Sequence, residues 1–366
     1  MAVRLRAPRS SVTRRSTVAG ALALPFLGPT GAAAETLHVT AYDGFVPPDF
    51  QKQFQSQTGI QILIRPTASQ APELTLLVAE RGHPITDICT VVGTRLHQFV
   101  SDGIIEPIDT SRLKNWDHLN PLYANADWNH VNGAIMGVPL VIGADVLVYT
   151  TQQVSPAPDS WFSLFDPKYR GRVTYDIEDF LLCTMLAQGA DPTFMAYLNN
   201  PGAAKKAVDA ARDLLIHNKP QVVRFFDEGS ELQQLLTGGD AVMAQTYFST
   251  PGRLILAGQP FRRVVPKEGT LAFVYTFAIT KGAPHRDNAY RFLDAMLGTP
   301  EMGAMLTRSA GYASCFRDAA KGLSVAEQEA YSLPEDALSR VRFPRYEGQA
   351  LSSSLIDQAV EEVKAG

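Results

Sequence analysis

The feature that most constrains the fold is an alternation of strands and helices over residues 37–100. Three short apolar runs have the length of buried strands, and a helical segment with apolar residues on one face follows each of them. The predicted strands are Leu37–Ala41, Ile60–Ile64 and Asp87–Val92, and the predicted helices are Pro48–Gln57, Glu73–Glu80 and Thr94–Val100. Strands joined by helices run parallel, so this order predicts an α/β fold with a mainly parallel sheet flanked by helices.

The rest of the chain continues this mixture of strands and helices. A strand-rich segment, Ala134–Thr150, is interrupted at Gly143. Further strands are predicted at Val222–Phe226, Ala241–Tyr247 and Phe273–Thr280. Further helices are predicted at Phe180–Gln188, Ala203–His217, Ser230–Thr237, Arg286–Leu297 and Leu351–Lys364.

The amino-terminal residues have the three-part layout of an export signal. Residues 1–34 contain five arginines and no acid, then the short apolar run Val18–Gly28, then small residues before Glu35. An apolar run of about 11 residues is too short to span a bilayer, which favours a cleaved signal peptide over an anchor. The pair Arg14-Arg15 indicates the twin-arginine route, although Thr17 and Val18 depart from that motif. We therefore predict a periplasmic protein with no stable membrane insertion after cleavage.

Charge and length limit the classes of function. The formal net charge of the 366-residue chain is −4, so the part that follows the five arginines carries −9. An acidic body is not expected to bind nucleic acid. The length and the 45% content of hydrophobic residues suffice for two domains with proper cores.

The cysteines and histidines show no catalytic or metal-binding pattern. The three cysteines, Cys89, Cys183 and Cys315, have no zinc-site spacing, and the first two lie in apolar segments typical of a protein core. One disulfide is possible, but the sequence does not identify its partners. The seven histidines include no H-E-x-x-H motif. We expect no metal, no cofactor and no enzymatic activity.

Several motifs occur in an order that is typical of one family. They are Tyr42–Gly59 (YDGFVPPDFQKQFQSQTG), Ser160–Val173 (SWFSLFDPKYRGRV), Val264–Ile279 (VVPKEGTLAFVYTFAI) and Ala310-Gly311-Tyr312. With this order and spacing, the chain resembles the extracytoplasmic solute-binding proteins of ABC importers, in the branch that includes the spermidine/putrescine-binding proteins.

The resemblance implies a two-lobed periplasmic-binding-protein fold of the type II clamp class. Lobe one is expected at residues 35–145 plus 276–312, and lobe two at residues 146–275 plus 313–366. Hinge crossover strands are expected near Gly143–Val148 and Phe273–Phe277. The resemblance further implies a monomer that captures a small polar solute, such as an amine or polyamine-like compound, between the lobes. The monomer would deliver this solute to a permease in the inner membrane.

The ligand-reading positions depart from the polyamine-binding pattern. Polyamine binders of this family use carboxylates to pair with ammonium groups and aromatic faces to cover the methylene chain. Here Gly44 stands where that pattern has an acid, and Phe273-Val274-Tyr275 replaces tryptophan-x-aspartate. Each charged hydrogen bond that is lost would weaken the binding free energy of a polyamine by roughly 1.5–3 kcal/mol. We therefore expect the preferred ligand to be a smaller, mixed polar solute rather than putrescine or spermidine.

The candidate ligand-binding residues combine phenols, amides and one acidic end, and most have an alternative structural explanation. Tyr275 has the alternative of a packing role in its strand. Asp179 or Glu178 has the alternative of capping the helix near Phe180, and Asp145 that of bracing the hinge. The candidates are Tyr42, Asp43, Asp179, Gln245, Tyr247, Phe273 and Tyr275.

Three other functions are compatible with the resemblance. The same cleft could serve a sensor module that presents its closed form to a signalling partner. A ferric-ion binder would require two adjacent tyrosines, and the sequence has no Tyr-Tyr pair. A thiaminase-like transferase would use a cysteine nucleophile, for which Cys89 is the candidate, but its neighbours are typical of a strand interior.

Overall fold

The computed structural model describes residues 35–67, 69–333 and 335–366. The predicted signal peptide, residues 1–34, lies outside the described residues and stays a prediction. Within the described part, no helix combines the length and the apolar character needed to cross a membrane.

The described chain mixes helices and strands along its length. The helices are α1 Pro48–Thr58, α2 Gln70–Ala79, α3 Leu96–Ser101, α4 Pro121–Ala124, α5 Ile177–Ala187, α6 Pro201–Asn218, α7 Gly229–Thr237, α8 Ser249–Leu256, α9 Arg286–Met296, α10 Pro300–Ala310, α11 Val325–Tyr331 and α12 Tyr346–Ala365. The strands are β1 Thr36–Ala41, β2 Gln61–Pro66, β3 Ile88–Val92, β4 His130–Val131, β5 Ala134–Ile135, β6 Val138–Thr150, β7 Val173–Thr174, β8 Met243–Tyr247, β9 Phe261–Val264, β10 Thr270–Ile279, β11 Ala313–Ser314 and β12 Val341–Arg342.

The main sheet has the order β2-β1-β3-β10-β6-β8-β7. The predicted parallel arrangement is present in β2-β1-β3, where α1 and α2 connect the strands. Strands β10 and β6 run antiparallel to their neighbours, and β7 pairs with β8 in parallel. The sheet is therefore mixed rather than parallel throughout, because β6 and β10 cross it in opposite directions.

Two long strands connect separate hydrophobic cores. The first core packs β1, β3, α1 and α9, and the second packs α5, α6 and α12. Along β6 the core changes between Val146 and Leu147, and along β10 it changes between Leu271 and Ala272. A smaller third core packs α7 and α8. The boundaries of the predicted lobes are not tested by this division and stay a prediction.

Local sequence signals explain the ends of several elements. Pro48 begins α1 at its first turn, and Gly59 ends it with a positive φ of 74°. Ser160 caps the short 3₁₀ turn Trp161–Phe165, because its side chain accepts a hydrogen bond from the backbone N–H of Phe162. Helix α5 begins at Ile177, earlier than predicted, because the Asp176 side chain accepts a hydrogen bond from the backbone N–H of Asp179 at 3.0 Å.

The predicted strand Val222–Phe226 is wrong. Only Val222 forms a bridge, to Val173, and the following residues are not in a strand. The neighbouring strand β7 has two residues, so it offers no ladder along which residues 223–226 could pair. Phe226 belongs to the third core instead, which explains its apolar character.

All three cysteines are buried and free. Cys89 and Cys183 have no exposed surface, as their apolar surroundings predicted. Cys315 is buried as well, so the structure contains no disulfide within the described residues.

The packing of α12 generates a stability prediction. A Cβ added at Gly348 would lie 1.8 Å from the backbone oxygen of Thr193, which cannot swing away as a side chain can. We expect Gly348→Ala to lower the free energy of unfolding by about 1–3 kcal/mol, the usual cost of overpacking. Denaturant unfolding, monitored by circular dichroism, measures this change in the free energy of unfolding.

Gly202→Ala in α6 is the matched control for Gly348→Ala. The nearest atom to a Cβ there is Asn200 Oδ1 at 3.7 Å, so the new methyl group fits. Stability should stay unchanged or rise by up to about 1 kcal/mol, because alanine favours the helix. Equal stabilities for the two variants would contradict the close approach of α12.

Candidate functional site

A cavity of about 820 Å³ lies where the crossing strands meet the helices of the second core. Its lining comes from the residues that follow β3, from β6 and β10, from the first turns of α5, and from α12. A solute there would touch elements of both the first and the second core.

Four aromatic side chains form one wall of the cavity, which we call the aromatic wall: Tyr247, Phe273, Tyr275 and Tyr312. The Tyr247 and Phe273 rings meet edge-to-face with centroids 5.1 Å apart, and Phe273 and Tyr275 do so at 5.4 Å. Alternate residues of a strand point to the same side, which explains why Phe273 and Tyr275 both reach the cavity while Val274 is buried.

Two carboxyl groups, Asp145 on β6 and Asp179 on α5, form an acidic end next to this wall. The hydroxyl of Tyr247 donates a hydrogen bond to Asp179. The amide of Gln245 donates to Asp145 Oδ1 at 2.6 Å. Among the described residues, no lysine, arginine or histidine pairs with either carboxyl.

Burial raises the pKa of the carboxyl and phenol groups around the cavity. It raises the pKa of Asp145 well above its ordinary range, and the charge of Asp179 adds to this shift. Burial also raises the pKa of Asp179 to about 7, with the charge of Asp176 acting in the same direction. Burial raises the pKa of Tyr247 and Tyr275 well above the usual value, so both phenols are neutral hydrogen-bonding groups near pH 7.

Helix α12 supplies a further wall. Its cavity-lining residues include Tyr346, Gln349, Ser353 and Asp357, which share one helical face because they are spaced three or four residues apart. The Tyr346 ring stacks on His97 of α3 with centroids 5.4 Å apart and an angle of 3° between the rings. The helix therefore contacts both sides of the cavity.

The structure brings four of the seven predicted ligand-binding residues to this cavity: Asp179, Tyr247, Phe273 and Tyr275. Because Asp176 is the residue that caps α5, the carboxyl of Asp179 is left to face the cavity.

The other three predicted residues lie elsewhere. Gln245 has no exposed surface and lies beneath the site, where it binds Asp145 and accepts a hydrogen bond from the backbone N–H of Asp176. Tyr42 is not among the lining residues but packs against the aromatic wall, with its ring centroid 5.1 Å from that of Tyr275. Asp43 is exposed and does not line the cavity.

Sequence reasoning did not select several residues that line the cavity: Asp145, Tyr312, Arg95 and the α12 face. The sequence suggests a hinge brace for Asp145 and shows Tyr312 only as part of a motif. A signal for Asp145 was available, because an acid inside a long apolar strand needs a partner or a function. Arg95 gave no such signal, since an arginine after a strand is ordinary.

The described residues do not support a metal site or a nucleophilic cysteine. No group of three or more His, Cys, Asp or Glu side chains in the described ranges could hold a metal ion. Burial raises the pKa of Cys89 well above the usual thiol value, which disfavours the reactive thiolate.

Comparisons with known proteins agree with this architecture. Residues 50–332 match the family described as bacterial extracellular solute-binding protein. The chain is 25% identical over 331 residues to the putrescine-binding periplasmic protein PotF of Escherichia coli, covering 85% of this chain and 86% of that protein. It is 26% identical to the putrescine/agmatine-binding protein of Pseudomonas aeruginosa, with coverages of 80% and 83%.

Among solved structures, the spermidine/putrescine ABC transporter substrate-binding protein PotD of Streptococcus pneumoniae superposes with a TM-score of 0.77. The identity is 18%, and the alignment covers 90% of this chain and 99% of that chain. The predicted two-lobed α/β fold is thereby confirmed.

These relatives are named as binding proteins or as the substrate-binding protein of an ABC transporter, not as enzymes. The expected resemblance is confirmed: this chain belongs to the bacterial extracellular solute-binding protein family and is similar to the polyamine-binding substrate-binding proteins of ABC transporters.

Proposed function

We propose that this chain is the periplasmic binding component of an ABC importer and captures a small solute that carries an ammonium group. The observation that carries the proposal is the acidic end of the cavity. Asp145 is only 4% exposed, and neither it nor Asp179 has a cationic partner in the described part of the chain. Buried carboxylates without a counter-charge are costly, and a bound cation would remove that cost.

The aromatic wall supports the same class of solute. A cation beside the face of an aromatic ring is attracted by the ring quadrupole, most strongly where water is excluded. Phe273 and Tyr275 offer such rings, and Tyr247 joins the wall to the acidic end through its hydrogen bond to Asp179. An ammonium group at this junction would contact carboxylates and rings together.

The named ligands of the relatives are amines: putrescine for one and putrescine or agmatine for another. This chain keeps an acidic end but has Gly44 and Tyr275 at two positions where the resemblance leads us to expect acids. We therefore propose a solute with one ammonium group, smaller than spermidine, rather than a polycation. Its remaining polar atoms would meet the amide and hydroxyl groups of α12.

Uptake would proceed by closure of the two lobes around the solute. Asp179 belongs to α5 on the second core, whereas the residues after β3 belong to the first core. A solute that touches both sides only in the closed form binds that form more tightly, and this difference in affinity drives closure. The closed surface is then presented to the membrane permease. Residues 1–34 would direct export to the periplasm and would be removed in the process.

Neutralising the acidic end should weaken binding of a simple alkylamine. We expect Asp145→Asn and Asp179→Asn each to raise the Kd of butylamine by roughly 10–100-fold, since a charged hydrogen bond contributes about 1.5–3 kcal/mol. Titration calorimetry at pH 8 measures the change. Asp49→Asn, at an exposed position on α1, is the control and should leave Kd unchanged. Equal affinities for all four proteins would contradict the proposed ammonium site.

Affinity for the amine should depend on pH because the ligand needs ionised carboxylates. The pKa of Asp179 is raised to about 7 in the free protein. Below that pH the carboxyl is protonated, and binding of an ammonium group must displace the proton. Affinity should therefore rise as the pH increases from 5.5 towards 8, by up to about tenfold per pH unit below the pKa.

Calorimetry in buffers of different ionisation enthalpy would detect the proton that binding releases. Asp179→Asn should show a weaker dependence on pH than the unaltered protein. A pH-independent affinity in the unaltered protein, with no proton release, would show that Asp179 does not face the ammonium group.

Closure can be measured directly by small-angle scattering. We expect the radius of gyration of the protein without residues 1–34 to fall when a saturating amine ligand is added, because the lobes approach each other. Asp145→Asn at the same ligand concentration should retain the larger radius. Identical scattering profiles with and without a ligand shown to bind by calorimetry would contradict the clamp mechanism.

A further inference from the structure

The cavity contains one cationic side chain among the described residues, Arg95. It is the last residue of the short 3₁₀ turn Gly93–Arg95 that directly follows β3. Residue 95 thus belongs to the segment that packs on the first core, whereas Asp179 lies on α5 at the second core. The lining combines this one cation with the carboxyl groups of Asp145, Glu178, Asp179 and Asp357.

Arg95 has no carboxylate partner within residues 35–67, 69–333 and 335–366. Its one side-chain hydrogen bond there is to the amide oxygen of Gln98, at 3.5 Å, which is long. Several arginines elsewhere in the described chain do pair with an acid, for example Arg112 with Asp287 at 2.7 Å. Arg95 is half-buried where it lines the cavity, and its guanidinium N–H donors are available to a bound anion.

We propose that the solute carries a carboxylate as well as an ammonium group, and that Arg95 binds the carboxylate. This inference rests on the proposed function, since it assigns the second end of the same ligand. The planar guanidinium forms two parallel hydrogen bonds to a carboxylate, a geometry that favours arginine over lysine. Thr94 and Gln98 line the cavity beside Arg95 and offer further hydrogen bonds.

A zwitterion also explains why the cavity differs from one built for a diamine. The second ammonium group of a diamine would meet the positive charge of Arg95, which repels it. A solute with opposite charges at its two ends would be attracted at both, by Arg95 from the first core and by Asp145 and Asp179 at the other end. Because each attraction is complete only when the lobes approach, such a solute would favour closure.

The alternative to a carboxylate-binding role is that Arg95 does no more than offset the charge of Glu178. The positive charge of Arg95 lowers the pKa of Glu178 and so opposes the larger effect of burial, which raises it. If that were the whole role, removing the guanidinium would change the affinity for every amine by the same factor. A ratio of affinities therefore separates the two roles.

The test compares three ligand series of matched chain length: α,ω-aminocarboxylates, n-alkylamines and α,ω-diamines. Calorimetry gives Kd for each with the unaltered protein, Arg95→Gln, Arg95→Lys and the exposed control Arg170→Gln. At the best chain length, the unaltered protein and Arg170→Gln should bind the aminocarboxylate about 10–100-fold more tightly than the alkylamine. Arg95→Gln should bring this ratio close to one, and Arg95→Lys should give an intermediate value.

The outcomes distinguish the two proposals. If alkylamines and diamines bind but the carboxylate adds nothing, or if Arg95→Gln leaves the ratio unchanged, the inference about Arg95 is wrong while the ammonium site stands. If diamines bind most tightly to the unaltered protein, the inference is wrong as well. If none of the three series binds, the proposed function fails and the inference fails with it. Circular dichroism of each variant verifies that it is folded.

Discussion

The antiparallel pairing of β6 with β10 is the constraint on which the site depends. These strands run from the first core to the second, and they carry Asp145, Phe273 and Tyr275 to the cavity. The pairing places Gly143 opposite Phe273, and a Cβ at Gly143 would lie 2.2 Å from the Phe273 ring. Glycine therefore lets the ring lie across the neighbouring strand, and the aromatic wall is built from the same contacts that connect the cores.

The charges of the cavity link ligand binding to the stability of the protein. Burial disfavours the ionised form of Asp145 and Asp179, so the folded protein holds protons that the unfolded chain has already lost. The contribution of these carboxyls to stability is therefore greatest at low pH and is lost as the pH rises through the raised pKa, about 7 for Asp179. A cation that stabilises their ionised form would compensate for this loss, which is a general feature of sites built for binding rather than for rigidity.

Sequence patterns predicted the fold better than the site. The strands and helices of residues 37–100 are visible in the sequence because apolar runs mark the strands, and Gly59, Gly82 and Gly103 follow the helices. Among the site residues, Phe273 and Tyr275 could be recognised as sharing one face, because they alternate with Val274 along a strand. The position of Gln245 beneath Asp145 is not visible in the sequence, because this contact joins residues 100 positions apart. The strand predicted at Val222–Phe226 was wrong because apolar composition alone cannot show whether a partner strand is available.

The sequence by itself determined the order of the elements, the family resemblance and the absence of the expected acids at positions 44 and 275, since these depend on local periodicity, spacing and residue identity. The tertiary structure decided which groups meet in the cavity. Only the folded chain shows that Arg95, Asp145 and the face of α12 line the same cavity. The physical reason is that electrostatic and packing contacts depend on distance in space, and that distance is set by how β6 and β10 carry the chain between the cores.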